Sequence, residues 1–255
     1  MDIAKKSVRF RNEFEVFGSA EDRYFNQLPA HDLSALFTFL DRHHDTFRAK
    51  WALDIGANIG LASLCIHDLY PESYIYSFEP SRLTFSLLDK NVSHNGLKSQ
   101  IFPQPMAAGS AEGQISFLDD QNYLAGSGAG TGEGSYEVRV TTVDEFVKYH
   151  AMPALDFIKI DVEGYELSVL DGARDTLKRF RPAVFIECNP SLLDKTQTPL
   201  EGFLEYLTEA LGELFVVDRL SGCSVPIGRG AGAAAAIRGL METPWDVFDL
   251  VNRPS

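Results

Sequence analysis

Cysteine and positive charge are scarce in this 255-residue chain. Its three cysteines, Cys65, Cys188 and Cys223, are too few and too widely spaced for a disulfide framework or a CxxC metal clip. Thirty-six acidic residues stand against 23 basic ones, and the formal net charge of −13 repels nucleic acid and anionic membrane surfaces. We therefore expect no nucleic-acid partner and no membrane partner.

Long apolar runs and metal-ligand patterns are also missing. The N-terminal stretch MDIAKKSVRFRNEF has no continuous apolar segment, and no run approaches the roughly eighteen residues that span a bilayer. These absences, with the scattered cysteines, predict a cytoplasmic protein without a signal peptide. Of the six histidines, only His43 and His44 are neighbours, so no metal site is predicted.

Short β-rich runs alternate with helical patterns from Trp51 onward. The strand candidates are WALDI, YIYSFE, IFPQPMA, DFIKID, AVFIEC and ELFVVD. Between them, apolar residues recur at helical spacing over 59–66, 83–91 and 167–177. This alternation predicts an α/β fold, with a mostly parallel sheet covered by helices on both faces.

Two segments interrupt the alternation. Residues 114–141 contain two β-like pieces around a tip with five glycines between Gly126 and Gly134, which predicts an inserted β-hairpin. An exposed hairpin of this kind can pair with a second copy of the chain, so a homo-oligomer is one expectation. The segment GRGAGAAAAIRG is interpreted as a loop leading into a final strand around Ala235 to Ile237.

The first fifty residues lack this alternation. Within HDLSALFTFLDRHHDTF, apolar residues at Leu33, Leu36, Phe37 and Leu40 predict an amphipathic helix capped near Asp32. We therefore predict an N-terminal helical extension or lid over 1–50 and a main domain over 51–255.

The exit of the first predicted strand, LDIGANIG, has the residues of a nucleoside site. Gly56 and Gly60 allow a tight turn and close approach of a ligand, and Glu79 follows nineteen residues after Gly60, the spacing of a ribose-binding acid. The GxGxxG spacing of dinucleotide sites is absent, which disfavours an NAD-dependent oxidoreductase. Asp54 at the loop entrance suits a cationic amino group, so S-adenosyl-L-methionine (SAM) is the predicted cofactor.

A second group of polar residues follows the later strands. Lys159, Asp161 and Glu163 alternate along DFIKIDVE, so they share a face if the strand continues that far, and Glu187 ends AVFIEC. Asp161 is our first candidate for a general base, Glu163 the second and Glu187 the third. Lys159 either stabilises charge on the reacting oxygen or only pairs with Asp161. A catalytically silent SAM-binding protein remains an alternative.

From Trp51 to Cys188 the chain resembles FkbM-type methyltransferases. The shared segments are LDIGANIG, SFEPS…LLDKNVSHNGL, AAGSAEGQISF, VTTVDEF and FIKIDVEGYELSVLDGA…RPAVFIEC. The resemblance implies a Rossmann-like class I SAM-dependent methyltransferase fold, with seven strands of which one is antiparallel. It also implies O-methylation of a small hydroxylated metabolite, such as a sugar or polyketide.

The resemblance assigns roles by position. Asp54, Gly56, Asn58 and Gly60 would line the methionine part of SAM, Glu79 would hold the ribose hydroxyls, Ser81 would lie near the adenosine, and Ala107 or Ala108 would flank the adenine. The predicted cofactor set is completed by Ala57 and Pro80, within the same two loops, and by Asp161, where the fourth strand meets the methyl donor.

Overall fold

A computed structural model describes residues 2–28, 34–119, 128–243 and 246–252 of the chain. The elements in these ranges are β1 (Ile3–Arg9), β2 (Glu13–Ser19), α1 (Arg23–Gln27), α2 (Ser34–Arg42), β3 (Trp51–Ile55), α3 (Leu61–Leu69), β4 (Tyr74–Phe78), α4 (Arg82–His94), β5 (Ile101–Gln104), β6 (Ala107–Ala108), β7 (Gly113–Leu118), β8 (Gly128–Ala129), β9 (Tyr136–Thr141), α5 (Val143–Tyr149), β10 (Phe157–Ile160), α6 (Glu166–Asp171), α7 (Arg174–Phe180), β11 (Ala183–Cys188), α8 (Pro190–Lys195), α9 (Leu200–Leu211), β12 (Leu214–Val217), β13 (Ser224–Gly228), α10 (Gly230–Leu240) and β14 (Phe248–Asn252). The predicted α/β alternation is confirmed.

The main sheet has the strand order β13-β12-β14-β11-β10-β3-β4-β5. Strands β11, β10, β3, β4 and β5 are parallel to one another, whereas β14 is antiparallel to both β11 and β12. The resemblance implies seven strands with one antiparallel. In the described residues the sheet has eight, because Ser224–Gly228 adds an edge strand antiparallel to β12. The mostly parallel character is as predicted.

Each face of this sheet is covered by its own apolar cluster. Phe157 and Phe185 face the cluster that includes residues of α2, α3 and α4. Ile158, which follows Phe157, and Val184, which precedes Phe185, face the cluster that includes residues of α6, α9 and α10. Burial on both faces explains why these strands are continuous apolar runs.

The N-terminal extension differs from the predicted helical one. The helix α2 is present, but the chain opens with an antiparallel hairpin in which Ile3 pairs with Ser19. The hairpin is fixed to the main domain by Asn91, whose side chain accepts a hydrogen bond from Phe17 N at 2.6 Å and donates one to Phe17 O at 3.1 Å. The predicted capping residue Asp32 lies outside the described residues.

The predicted inserted hairpin is present. Strands β7 and β9 pair antiparallel, with Gly113 opposite Val140, and β6 and β8 complete a second sheet of order β6-β9-β7-β8. Residues 120–127 of its tip lie outside the described ranges. This small sheet brings Ala107 and Ala108 next to the strand ends of the main sheet.

Two predictions in the C-terminal half are wrong. The segment predicted as a loop leading into a strand at Ala235–Ile237 forms the helix α10, because its alanines favour a helix, and the final strand is β14. The single helix predicted over 167–177 is interrupted at Gly172, where an added Cβ would lie 2.0 Å from Gly109 O. Over the described part of the chain, none of the helices combines the length and apolarity needed to cross a membrane.

Candidate active site

A cavity of about 560 Å³ lies at the carboxyl ends of β3, β4, β10 and β11. Ligands of open α/β sheets bind at this edge. The predicted site residues that line it are Gly56, Ala57, Asn58, Glu79, Pro80, Ala107, Ala108, Lys159, Asp161, Glu163 and Glu187. The structure therefore brings most of the two predicted groups, from distant parts of the sequence, to one cavity.

The loop after β3 passes close to the end of β10. Gly56 has a φ of +80°, and a Cβ built on it would lie 1.8 Å from the carbonyl oxygen of Asp161. Lys159 Nζ donates a hydrogen bond to Gly56 O at 2.8 Å. Only glycine satisfies both the conformation and the contact, so the predicted need for a small residue has a specific cause.

Glu79 connects the two loops that follow β3 and β4. Its Oε2 accepts a hydrogen bond from Asn58 N at 2.8 Å, and its Oε1 accepts one from Ser81 N at 2.9 Å. Burial raises the pKa of Glu79 to about 7, although the two backbone donors oppose that rise. The carboxylate is held rigidly, and each oxygen keeps a second acceptor position.

Asp54, Gly60 and Ser81 were predicted to contact the cofactor, but they are not among the cavity-lining residues. Asp54 is fully buried because it faces α3, where its Oδ2 accepts a hydrogen bond from Ser63 Oγ at 2.6 Å. Gly60 is the left-handed residue that starts α3, and Ser81 caps α4 through its side chain. These residues therefore shape the loops from behind.

Lys159 and Asp161 form an ion pair at the cavity wall. Lys159 Nζ lies 3.1 Å from Asp161 Oδ2 and 3.6 Å from Asp54 Oδ1. Burial lowers the pKa of Lys159, but the carboxylates of Asp161 and Asp54 outweigh that effect and raise it above its ordinary value. The lysine is thus a fixed cation. The Asp161 side chain remains 36% exposed and reachable from the cavity.

The predicted alternation of Lys159, Asp161 and Glu163 does not continue through all three residues. Strand β10 ends at Ile160, and Glu163 lies in a turn with a φ of 56°. Glu163 still lines the cavity, because the turn returns it to the same rim. All three residues thus line the cavity, but Glu163 does so through a turn and not through strand periodicity.

Asp249 and Arg219 are cavity residues that the sequence analysis missed. Asp249 stands opposite Glu187 in the β11–β14 register, and Arg219 Nε lies 3.2 Å from Asp249 Oδ2. Burial raises the pKa of Asp249 to about 6, and Arg219 opposes this rise. The signal that could have found Asp249 was the alternation in VFDLVN, once 230–240 is recognised as a helix.

Glu187, the third candidate base, lies beside these residues. Burial raises the pKa of Glu187 well above its usual range, and the neighbouring carboxylates of Asp161, Glu163 and Asp249 raise it further. Burial and the neighbouring carboxylates thus disfavour the charged form of Glu187. Asp161, whose side chain is 36% exposed beside Lys159, remains the first candidate for the base.

The remaining wall is apolar and comes from the two attachments. Tyr24, Leu28 and Leu36 of the N-terminal extension line it, as do Ile115 and Phe117 of the hairpin. The extension therefore contributes to the wall, and its role as a lid stays a prediction. No group of three His, Cys, Asp or Glu side chains within the described ranges is arranged to hold a metal ion; the metal-free site stays a prediction.

Comparison with known proteins identifies the family. Residues 54–214 match the model of the methyltransferase FkbM domain. Hexuronic acid methyltransferase AglP of Haloferax volcanii is 29% identical over 157 residues, which cover 61% of this chain and 63% of that protein. Methyltransferase 1 of Beauveria bassiana is 27% identical over 163 residues, which cover 54% of this chain and 65% of that protein.

A solved structure agrees on the fold. The methyltransferase FkbM of Methylobacillus flagellatus KT superposes with a TM-score of 0.50 at 17% identity, covering 86% of this chain and 53% of that one. The chain spans slightly less than two thirds of the curated relatives that it matches. The domain match covers well over half of this chain. The chain therefore belongs to the FkbM methyltransferase family, and its architecture is the class I SAM-dependent methyltransferase fold.

Proposed function

We propose that the protein binds SAM and transfers the methyl group to a hydroxyl oxygen of a small metabolite. The proposal depends mainly on one observation: Glu79, the Gly56–Asn58 loop and the Lys159–Asp161 ion pair all line the same cavity. The similarity to a hexuronic acid methyltransferase supports a sugar hydroxyl as the acceptor.

The residues present fit the cofactor. Glu79 keeps two acceptor positions beyond its bonds to Asn58 N and Ser81 N, as a ribose diol requires. The absence of a side chain at Gly56 lets the loop lie against β10. Ala107 and Ala108 line the cavity with small side chains that leave room for an adenine ring. Asp54 supports this site indirectly, through Lys159 and Ser63.

The chain's own residues provide the acid–base chemistry. When bound, SAM supplies a methyl group on a positively charged sulfur, which is a good leaving group. An alcohol has a high pKa and must lose its proton as the new bond forms, so a base must contact it. Asp161 takes that proton, because its carboxylate reaches the cavity while Lys159 Nζ holds it at 3.1 Å. Lys159 also stabilises negative charge on the acceptor oxygen.

Positioning of the acceptor supplies much of the remaining rate acceleration. Orienting a bound acceptor toward an activated group lowers the barrier by several kcal/mol, on the order of 7 or more in favourable cases. Tyr24, Leu36 and Phe117 line the cavity with apolar surface, which supports a role in orienting the acceptor.

The test is turnover by Asp161→Asn with methyl-labelled SAM. We expect a loss of roughly 100-fold or more, with the affinity for S-adenosylhomocysteine (SAH) within a few-fold of wild type. Asp175→Asn, an exposed aspartate on α7, is the matched control and should retain full activity. Retained turnover in Asp161→Asn would refute the assignment of the base. A protein that binds SAH but methylates no hydroxylated acceptor would be a silent SAM-binding protein.

A further inference from the structure

Three carboxyl groups lie in a row along the cavity edge. Glu187 of β11 is opposite Asp249 of β14. Ile160 of β10 is opposite Ile186 of β11, so Asp161 follows at the level of Glu187. Neighbouring strands are about 4.8 Å apart, and all three residues line the same cavity. The row therefore extends from the candidate base across two further strands.

The outer two members of the row form close ion pairs and the middle one does not. Asp161 is paired with Lys159, and Asp249 is paired with Arg219. Within the described ranges, the Glu187 side chain forms no hydrogen bond and no close ion pair, although Lys159 attracts it at longer range. A partly exposed carboxyl group that lines a cavity and has no side-chain partner in its own chain is free to bind water or a ligand there.

The surroundings of Glu187 indicate the chemistry of that molecule. A second anion would be repelled by Asp161, Glu163 and Asp249, which already lie nearby. A hydroxyl group suits the position, because it both donates and accepts a hydrogen bond. Phe185, two residues earlier in the same strand, and Tyr24 add aromatic surface to the cavity, which can cover the C–H face of a sugar ring.

We propose that Glu187 and Asp249 form an acceptor subsite that binds a second hydroxyl of a polyhydroxylated, sugar-like acceptor while the adjacent hydroxyl lies at Asp161. This proposal rests on the proposed function and deepens it, because it assigns specificity to Glu187. Glu187 binds the neutral diol and does not remove the proton. Arg219 is a positioning residue that fixes the Asp249 carboxylate.

The experiment compares acceptors that differ by one hydroxyl. The probes are the methyl glycosides of glucose, galactose and mannose, with their hexuronic acid counterparts and mono-deoxy analogues, and cyclohexanol as a monohydric acceptor. Product is measured as methyl transfer from labelled SAM for wild type, Glu187→Ala, Glu187→Gln and the exposed α9 control Glu205→Gln. SAH affinity is measured for every variant, so that a folding defect or a missing SAM site is recognised.

We expect the wild type to methylate at least one glycoside and to lose at least tenfold in kcat/KM when the neighbouring hydroxyl is removed. Glu187→Ala should lose at least tenfold on the intact glycoside and less than threefold on the deoxy analogue, while Glu187→Gln should retain most of the discrimination. Equal use of glycoside and deoxy analogue, preference for cyclohexanol, or no glycoside product despite SAH binding would overturn the subsite. Absence of SAH binding would instead overturn the proposed function.

Discussion

Replacing Glu79 by glutamine should remove a distinct pH dependence of stability. In the native state Glu79 is buried, and its pKa is raised from an ordinary value of 4.5 to about 7. The native protein therefore keeps this proton over a range in which the unfolded chain has lost it. Because the native state binds more protons there, the free energy of unfolding falls as pH rises from about 4.5 to about 7.

The size of this effect follows from the pKa difference. A shift of this magnitude corresponds to on the order of 3 kcal/mol over the whole window. Near the middle of the window the slope approaches about 1.4 kcal/mol per pH unit for one proton. Asp249 and Glu187 also have raised pKa values and contribute slopes of the same sign, so the difference between wild type and Glu79→Gln isolates Glu79.

The assay is urea denaturation of wild type, Glu79→Gln and Glu205→Gln between pH 4.5 and 8. Glu79→Gln should be less stable than wild type at low pH. The glutamine amide nitrogen cannot accept from the backbone N–H groups of Asn58 and Ser81, so one of these donors stays unpaired, at a cost of about 1–3 kcal/mol. Its slope should be shallower by nearly one proton, and the control should keep the wild-type slope. If the free energy of unfolding depends on pH with the same slope in wild type and Glu79→Gln, the claim that Glu79 is a buried carboxyl group with a raised pKa is refuted.

Two further substitutions test the loops, each by urea denaturation and SAH titration, and a chelator tests the prediction of a metal-free site by turnover. Gly56→Ala should lose more than about 2 kcal/mol of stability and most SAH affinity, since its Cβ would meet Asp161 O at 1.8 Å. Gly202→Ala on α9, where the added Cβ meets open space, is the control. Equal effects of the two substitutions would contradict the steric explanation. Asn91→Leu should lose about 2 kcal/mol of stability and weaken SAH binding, because the Asn91 amide no longer donates its 2.8 Å hydrogen bond to Ile59 O. Unchanged SAH affinity would show that Asn91 does not support the loop after β3. With a chelator present, turnover should stay within twofold of untreated enzyme; a larger loss would indicate a divalent cation.

The sequence was most informative where structure is local. Buried parallel strands are continuous apolar runs, so β3, β4, β10 and β11 were recognisable without tertiary information. Glu79 and the glycines of the first loop were recognisable because chain spacing fixes their places at adjacent strand ends. These features are sufficient to locate the part of the cavity that we propose binds the cofactor.

The sequence was least informative where a side chain's role depends on which strands are neighbours. The burial of Asp54 follows from its place beside Lys159 in the β3–β10 register and opposite Ser63 on α3. Asp249 reaches the cavity only because β14 inserts beside β11. Neither neighbour relation is encoded in the local pattern.

The opening hairpin shows a further limit. Strand β1 is polar on its exposed side, with only Val8 buried among its seven residues, so its alternation is weak. Its stability comes from distant groups, including Asn91 and the Asp68 carboxylate, which accepts hydrogen bonds from the backbone N–H groups of Arg11 and Asn12. Such anchors are visible only in the folded chain.

The most direct test of the central claim is calorimetric titration of wild type, Glu79→Ala and the control Glu205→Ala with SAH. We predict micromolar binding to wild type and to the control, and at least a tenfold weaker affinity for Glu79→Ala, about 1.4 kcal/mol. Absence of SAH binding to the wild type would contradict the SAM-dependent function while leaving the fold unchanged. Equal binding by Glu79→Ala would contradict the assignment of Glu79 to the ribose.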